Sequence, residues 1–217
     1  DRATSILAAV EDAKRNLTDA VEEGMGQINI GAIPTIAPYL LPPLLKRFAR
    51  KFPHASVTVY ENLTEVTIKD CLEGKLDVGI VALPIAEEQL AVEPLFSEEL
   101  LLVTSANHPL ATKNRVSMAD VSKEPFILRS ETHCLGEQIL SFCKQQSCLP
   151  VVSCHSAQLL TVQELVALGQ GVSLVPKMAA DVDSSKQRKY RPLSGKKPIR
   201  KIAMIWHKQR YESLLAG

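Results

Sequence analysis

The sequence has no apolar run of the roughly 18 to 20 residues that a membrane-spanning helix needs, and it does not open on the charged, apolar, small-residue order of a signal peptide. A soluble, cytoplasmic protein with no membrane partner is the expectation. It also has no CxxC pair and no HExxH helix, which removes the strongest zinc signatures. Its five cysteines are Cys71, Cys134, Cys143, Cys148 and Cys154. An odd count without a signal peptide argues against a secreted disulfide framework and for a reducing compartment. The spacings among Cys143, Cys148 and Cys154, with His133 and His155 nearby, make only a thin case for zinc, so no metal and no cofactor is expected.

The chain has 217 residues, 46% hydrophobic and 23% charged, which suffices for one sizeable core or two small packed lobes and excludes a disordered or fibrous protein. The formal net charge is +1, yet ten of the 25 basic residues lie between Lys186 and Arg210, where no acidic residue occurs. The remaining 15 basic residues face all 24 acidic ones. Without aromatic interleaving, this basic quarter reads as a solvated face balancing the acidic rest rather than as a nucleic-acid surface.

Along the chain the apolar period changes several times. Ile6, Val10, Ala13, Leu17 and Val21 recur at helical steps, so residues 1–25 read as one amphipathic helix closed by Gly24, whose abrupt start suggests a piece of a longer protein, with an N-terminal helix packed on its own domain as the alternative. Gln27 to Gly31 alternates like a strand, a helix runs from about Pro38 to Lys51, and Val57 to Tyr60 is a second strand. Thr64 to Glu73 is a helix ended by Gly74, and Leu76 to Val81 a third strand. A second series follows: a strand at Glu99 to Thr104, a Pro109-containing loop, a short strand at Phe126 to Leu128, a helix from Leu135 to Gln146, and a strand at Val151 to Cys154. Then come a helix from Leu159 to Leu168, a buried strand from Val172 to Val175, and a last strand at Ile202 to Trp206. The alternation predicts an α/β fold with parallel sheet in two Rossmann-like lobes, the strands crossing between them near residues 95 to 100 and 200. Residues 26–97 with 203–217 would form the first lobe and 98–202 the second. Ligands of such folds sit in the crevice beyond the carboxyl ends of the strands.

The segment Ser130 to Cys143 is the most informative. Leu135, Ile139 and Phe142 form an i, i+4, i+7 stripe, with Thr132 or Ser130 as the cap. Cys134 then stands at the helix N-terminus, where unpaired N–H groups and the positive dipole end favour a thiolate, more so beside a cationic His133. Cys143 is nine residues on, which on a continuous helix is the opposite face and about 13 Å along the axis. Two α carbons must come within about 7 Å to be bridged, so these thiols pair only if the helix opens. Such an incompatibility is what a redox switch uses. The alternative is two buried structural cysteines. Thr35, in the loop after the first strand, and Thr64, opening the helix after the second, have hydroxyls placed for the crevice, although either also reads as a helix cap and for Thr64 the cap is the favoured reading. With His133 they would hold a small polar ligand. Cys71 reads as helix core, and Cys148 and Cys154 flank a loop and strand without a matched base.

The strand Gly26-Gln27-Ile28-Asn29-Ile30-Gly31, the turn Gly74-Lys75-Leu76-Asp77 and the segment Gly169-Gln170-Gly171-Val172-Ser173-Leu174-Val175-Pro176 resemble the effector-binding domain of LysR-type transcriptional regulators, over nearly the whole chain. That resemblance implies a periplasmic-binding-protein-like fold, with residues 1 to about 24 as the end of the family's dimerising linker helix. Within the family, Ile33 to Pro42, His133-Cys134-Leu135 and Phe142-Cys143 are similar to the peroxide-sensing branch. By resemblance Cys134 is the peroxidatic cysteine, oxidised to a sulfenic acid, and Cys143 the resolving cysteine that condenses with it. Thr35, Thr64 and His133 match positions that help bind hydrogen peroxide. Members of that branch often carry Gly where this chain has Thr132, and Cys71, Cys148 and Cys154 lie outside their pattern. Cys148 and Cys154 stand as competitors of Cys143.

The resemblance implies a regulator rather than an enzyme, a homodimer or homotetramer that binds DNA through an N-terminal winged helix-turn-helix domain absent from this chain. It also implies contact with RNA polymerase and re-reduction by thiol reductants such as glutaredoxin or thioredoxin. Two other classes are the same fold binding a small organic anion or metabolite reversibly in the crevice, and a thiol peroxidase that turns peroxide over.

Overall fold

The computed structural model describes residues 26–129 and 134–209, in two compact units, Asp1–Phe96 with Lys201–Gly217 and Ser97–Arg200. The helix expected over residues 1–25 lies outside the described residues.

In the first unit β1 (Gly26–Ala32), α1 (Ala37–Lys51), β2 (Ala55–Glu61), α2 (Thr64–Leu72) and β3 (Val78–Ala82) follow one another. β1 pairs in parallel with β2, from Gly26 opposite Ala55 to Ala32 opposite Glu61, and with β3 on its other side. β1 is buried on both faces from Ile28 to Ala32, and Ile28 and Ile30 enter the core, joined by Ile33 and Ile36 of the turn and by Ala37 and Leu41 of α1. The Gly74-to-Asp77 turn works as a latch: the Asp77 carboxylate accepts a hydrogen bond from the Asn29 backbone N–H at 2.7 Å while the Asp77 N–H donates to the Asn29 carbonyl at 2.9 Å. α2 lies close on the sheet, with Thr67 and Cys71 fully buried.

The last strand of this sheet, β9 (Ile199–His207), runs antiparallel to β3, so the sheet is mixed rather than all parallel. The βαβ rule governs consecutive units, and β9 instead returns from far downstream, free to enter in either sense.

β4 (Leu90–Ser105) is much longer than the six residues expected from periodicity, because residues 92–97, including Leu95 and Phe96, are exposed and show no alternation. It passes into the second unit, where it pairs antiparallel with β7 (Ser173–Pro176) and with β8 (Arg188–Arg191). β5 (Pro125–Arg129) pairs in parallel with β6 (Val151–Ser156). Two short helices, α3 (Pro109–Thr112) and α4 (Met118–Val121), occupy the stretch expected as a Pro-containing loop. Pro109 starts α3 instead of breaking it, with its missing N–H at a position that needs none and the His108 ring capping the Leu110 N–H. The longer helices are α5 (Cys134–Gln145) and α6 (Leu159–Ala167), and α7 (Lys177–Val182) follows β7.

Gly171 lies at φ +153°, and a Cβ there would fall 2.4 Å from the Pro125 carbonyl oxygen. Only glycine lets Val172 exchange hydrogen bonds with Pro125 and Ile127, at 2.9 Å each, which ties β7's approach to β5. The basic quarter is not simply a solvated face. Arg188 is buried and bonded to Asp183 and Glu164, and Arg200 is buried against Glu98, whose other carboxylate oxygen accepts the Met178 N–H at 2.7 Å. Burial alone would raise the Asp183 carboxyl, but the hydrogen bonds from Arg188, Tyr190 and the Ser185 N–H hold it down at about 2.

Candidate functional site

α5 forms from the apolar stripe read in the sequence: Leu135, Ile139, Phe142 and Cys143 are buried, and the helix packs on β5. Glu137 in the first turn and Lys144 in the last complement its dipole. Cys134 is its first residue and half-buried; Cys143 is fully buried. The helix is continuous between them, which sets the two cysteines about 13 Å apart along its axis. Both thiols are free, as are those of Cys71, Cys148 and Cys154.

The Cys143 thiol is pushed up to about 11 by burial first and by the negative charge of a Cys148 thiolate second, against a backbone hydrogen bond that lowers it. At neutral pH it is a protonated thiol. The Cys71 thiol is pushed further, to about 12, by burial and then by Asp70 and Asp77. Among the described residues, no three His, Cys, Asp or Glu side chains gather as a metal site.

α5 ends in a tight closing turn. The Cys148 N–H donates to the Cys143 carbonyl at 3.2 Å and the Ser147 N–H to the Lys144 carbonyl at 3.0 Å, with Ser147 at φ +52°. These are the two bonds of a Schellman motif, with Cys143 at C3 and Cys148 at C″. Sequence reasoning placed Cys148 beside a loop, as a thin zinc candidate and a competitor of Cys143. The glycine that usually marks such a turn is a serine here, so the turn that joins the two cysteines across five residues carried no visible signal.

Thr35 is fully buried in the turn between β1 and α1. Thr64 is not the cap of α2: Leu63 holds that position without any side-chain bond, and Thr64 is the first helical residue. Its hydroxyl oxygen is buried with no hydrogen-bond partner. A Thr at N1 cannot reach the N2 or N3 amides as an N-cap side chain does. The two threonines follow the carboxyl ends of adjacent parallel strands, drawn together where the Asn62 N–H donates to the Ala32 carbonyl at 3.3 Å. His133, and the cap residues Ser130 and Thr132, lie outside the described residues.

The LysR substrate binding domain matches residues 22–217, so the chain belongs to the LysR substrate-binding domain family, and its fold is periplasmic-binding-protein-like. Its relatives narrow the class. The hydrogen peroxide-inducible genes activator of Dickeya chrysanthemi is 31% identical over 220 residues, covering 99% of this chain and 72% of the relative. The DNA-binding transcriptional dual regulator OxyR of Escherichia coli (strain K12) is 30% identical over 220 residues, with the same 99% and 72%. The reduced OxyR regulatory domain from Pseudomonas aeruginosa superimposes with a TM-score of 0.77 at 30% identity, over 86% of this chain and 91% of that one. These relatives are named as regulators of transcription, not as enzymes.

Proposed function

We propose that this chain is the redox-sensing regulatory domain of a LysR-type, DNA-binding transcriptional activator, in which hydrogen peroxide oxidises Cys134 and a Cys134–Cys143 disulfide follows. The observation that carries the reading is the continuous helix between a half-exposed cysteine at its start and a fully buried one nine residues on. One covalent state permits α5 and the other forbids it.

The Cys134 thiolate, at the positive end of the helix dipole, attacks one peroxide oxygen. The O–O bond breaks, hydroxide leaves and takes up a proton as water, and Cys134 becomes a sulfenic acid. Thr35, Thr64 and His133 are the residues we assign to holding peroxide by hydrogen bonds. The buried, unpartnered Thr64 hydroxyl supports Thr64's own part in that assignment, since a buried polar group without a partner is costly unless a ligand or water meets it. Cys143 then attacks the Cys134 sulfur, the S–O bond breaks, and water departs with the Cys143 proton. Closing this loop of about ten residues contributes on the order of 2 to 3 kcal/mol, comparable with the packing of a short helix, so the disulfide is able to hold α5 open.

In this reading residues 98–202 carry the redox chemistry, and residues 26–97 with 203–217 form the other regulatory lobe. The repacking changes a homotetramer, turns winged helix-turn-helix domains on DNA and alters contact with RNA polymerase. Glutaredoxin- or thioredoxin-type reductants in the cytoplasm reset the switch.

The test is a stoichiometric peroxide pulse, alkylation of remaining thiols, and mass spectrometry of the tryptic peptides. Cleavage after Arg129 and Lys144 leaves Cys134 and Cys143 in one peptide. We expect that peptide to lose two hydrogens and refuse alkylation, with Cys134→Ser abolishing the change. Both cysteines alkylating unchanged would end the redox reading.

A further inference from the structure

We propose that Cys143 and Cys148 are a second disulfide site, closing the C-terminal turn of α5 with the helix intact and withholding Cys143 from Cys134. Formation of this bond needs nothing from the reading above; its effect on the switch rests on that reading.

The geometry comes from the closing turn. A Schellman motif brings the side chains at C3 and C″ against one another, and here both are cysteines. The 3.2 Å hydrogen bond from the Cys148 N–H to the Cys143 carbonyl, with the covalent bonds flanking it, keeps the two α carbons within about 7 Å, inside disulfide range. Cys134 has no such access to Cys143 while α5 stands.

The molecule contains its own comparison. α2 closes by the same two bonds, the Lys75 N–H to the Asp70 carbonyl at 2.9 Å and the Gly74 N–H to the Cys71 carbonyl at 3.2 Å. Its C3 and C″ side chains, Asp70 and Lys75, meet at 3.4 Å. The corresponding pair in α5 is Cys143 and Cys148, and Cys148 is, after burial, the second influence that pushes the Cys143 thiol up.

Chemistry divides the roles. Cys143 is fully buried and protonated, whereas Cys148 is half-exposed and meets the oxidant first. Hydrogen peroxide gives one oxygen to the Cys148 thiolate, hydroxide leaves and is protonated, and a sulfenic acid remains. The Cys143 sulfur attacks it, the S–O bond breaks, and water carries off the Cys143 proton. Two thiols and one peroxide thus become one disulfide and two waters. Oxidation spent here leaves the α5 fold unchanged, so the pair acts as a brake on a switch that requires α5 to open.

The experiment uses the chain with Cys134→Ser and Cys154→Ser, treated with hydrogen peroxide, alkylated and digested. Lys144 separates the two cysteines, so their bond joins peptides 130–144 and 145–177. The expected result is that joined species, from protein that stays single-chain on a non-reducing gel, with an unchanged helical circular dichroism signal. Separate alkylation of Cys143 and Cys148, or joining only with loss of helical signal, overturns the proposal. The wild-type digest keeps the two ideas apart: an internally bridged 130–144 peptide reports the Cys134–Cys143 bond alone. In wild-type background Cys148→Ser should raise the share of that internally bridged peptide roughly twofold, the competition of two comparable partners for one thiol. An unchanged share removes the braking role.

Discussion

α2 in the first unit and α5 in the second are close counterparts that differ in what their cysteines can reach. Each carries one fully buried cysteine, Cys71 and Cys143, held protonated mainly by burial. Each ends in the same pair of capping bonds. Around Cys71, however, the capping partners are an aspartate and a lysine, while Cys143 has Cys148 across its own turn and Cys134 at the far end of its helix. Burial makes a thiol a poor nucleophile, and a second sulfur is what turns a buried thiol into a redox partner. Helix geometry then decides which sulfur: five residues across a closing turn is within reach, and nine along the axis is within reach only after unfolding.

The largest effect expected from that contrast is all or none. After a peroxide pulse, wild-type chain should show new tryptic cleavage in the second unit; Cys143→Ser should show none, and Cys71→Ala should respond like wild type. A Cys143→Ser chain that rearranges as fully as wild type would mean that α5 opens without a disulfide, and the contrast between the two helices would lose its chemical basis.

Next in size is thiol reactivity. With the Cys143 thiol at about 11 and the Cys71 thiol at about 12, both above the ordinary 9.0, alkylation at about pH 8 should be slower in the folded than in the urea-unfolded chain. The factors are on the order of a hundredfold for Cys143 and a thousandfold for Cys71, because each pKa unit costs about tenfold in thiolate. Since the thiolate is the reactive form, the folded-state rate at Cys143 should climb with pH and level off near 11. Peptide mass spectrometry of timed iodoacetamide reactions measures both, and a Cys143 that alkylates equally fast folded and unfolded would show that α5 opens by itself.

How much of this was legible in the sequence follows from which residues carry periodic signals. β1, α1, α2, α5 and α6 came out within one or two residues, because their apolar patterns are strong and α1, α2 and α6 also have Pro or Gly boundaries. The mixed sheet, the full length of β4, and the short α3, α4, α7 and β8 did not, since strand sense is non-local and an exposed half-strand has no alternation to read. In the site, Cys134 at a helix start and Cys143 beside the apolar stripe were both readable from spacing. Thr64 was misread as a cap because Thr at a helix start usually is one. The closing turn after Gln145 was invisible because Ser147 occupies a left-handed position that glycine holds at the ends of α2 and α6, Gly74 at φ +71° and Gly169 at φ +76°.

That substitution supplies the smallest prediction and the one most specific to the contrast. A non-glycine residue in the left-handed region costs about 1 kcal/mol, so among the described residues α5 is the least firmly closed of the three helices that share this ending. Ser147→Gly should stabilise the chain by about 1 kcal/mol, and Gly74→Ser should destabilise it by a similar amount, both read from urea midpoints at constant slope. The two changes separate once peroxide is added. Stabilising the end of α5 opposes the opening that a Cys134–Cys143 bond requires, so Ser147→Gly should slow formation of the bridged 130–144 peptide by roughly fivefold, the kinetic equivalent of about 1 kcal/mol. Gly74→Ser, acting on α2, should leave that rate alone. If both variants changed the rate in proportion to their stability, opening would be a property of the whole chain, whereas a change confined to Ser147→Gly locates it in α5.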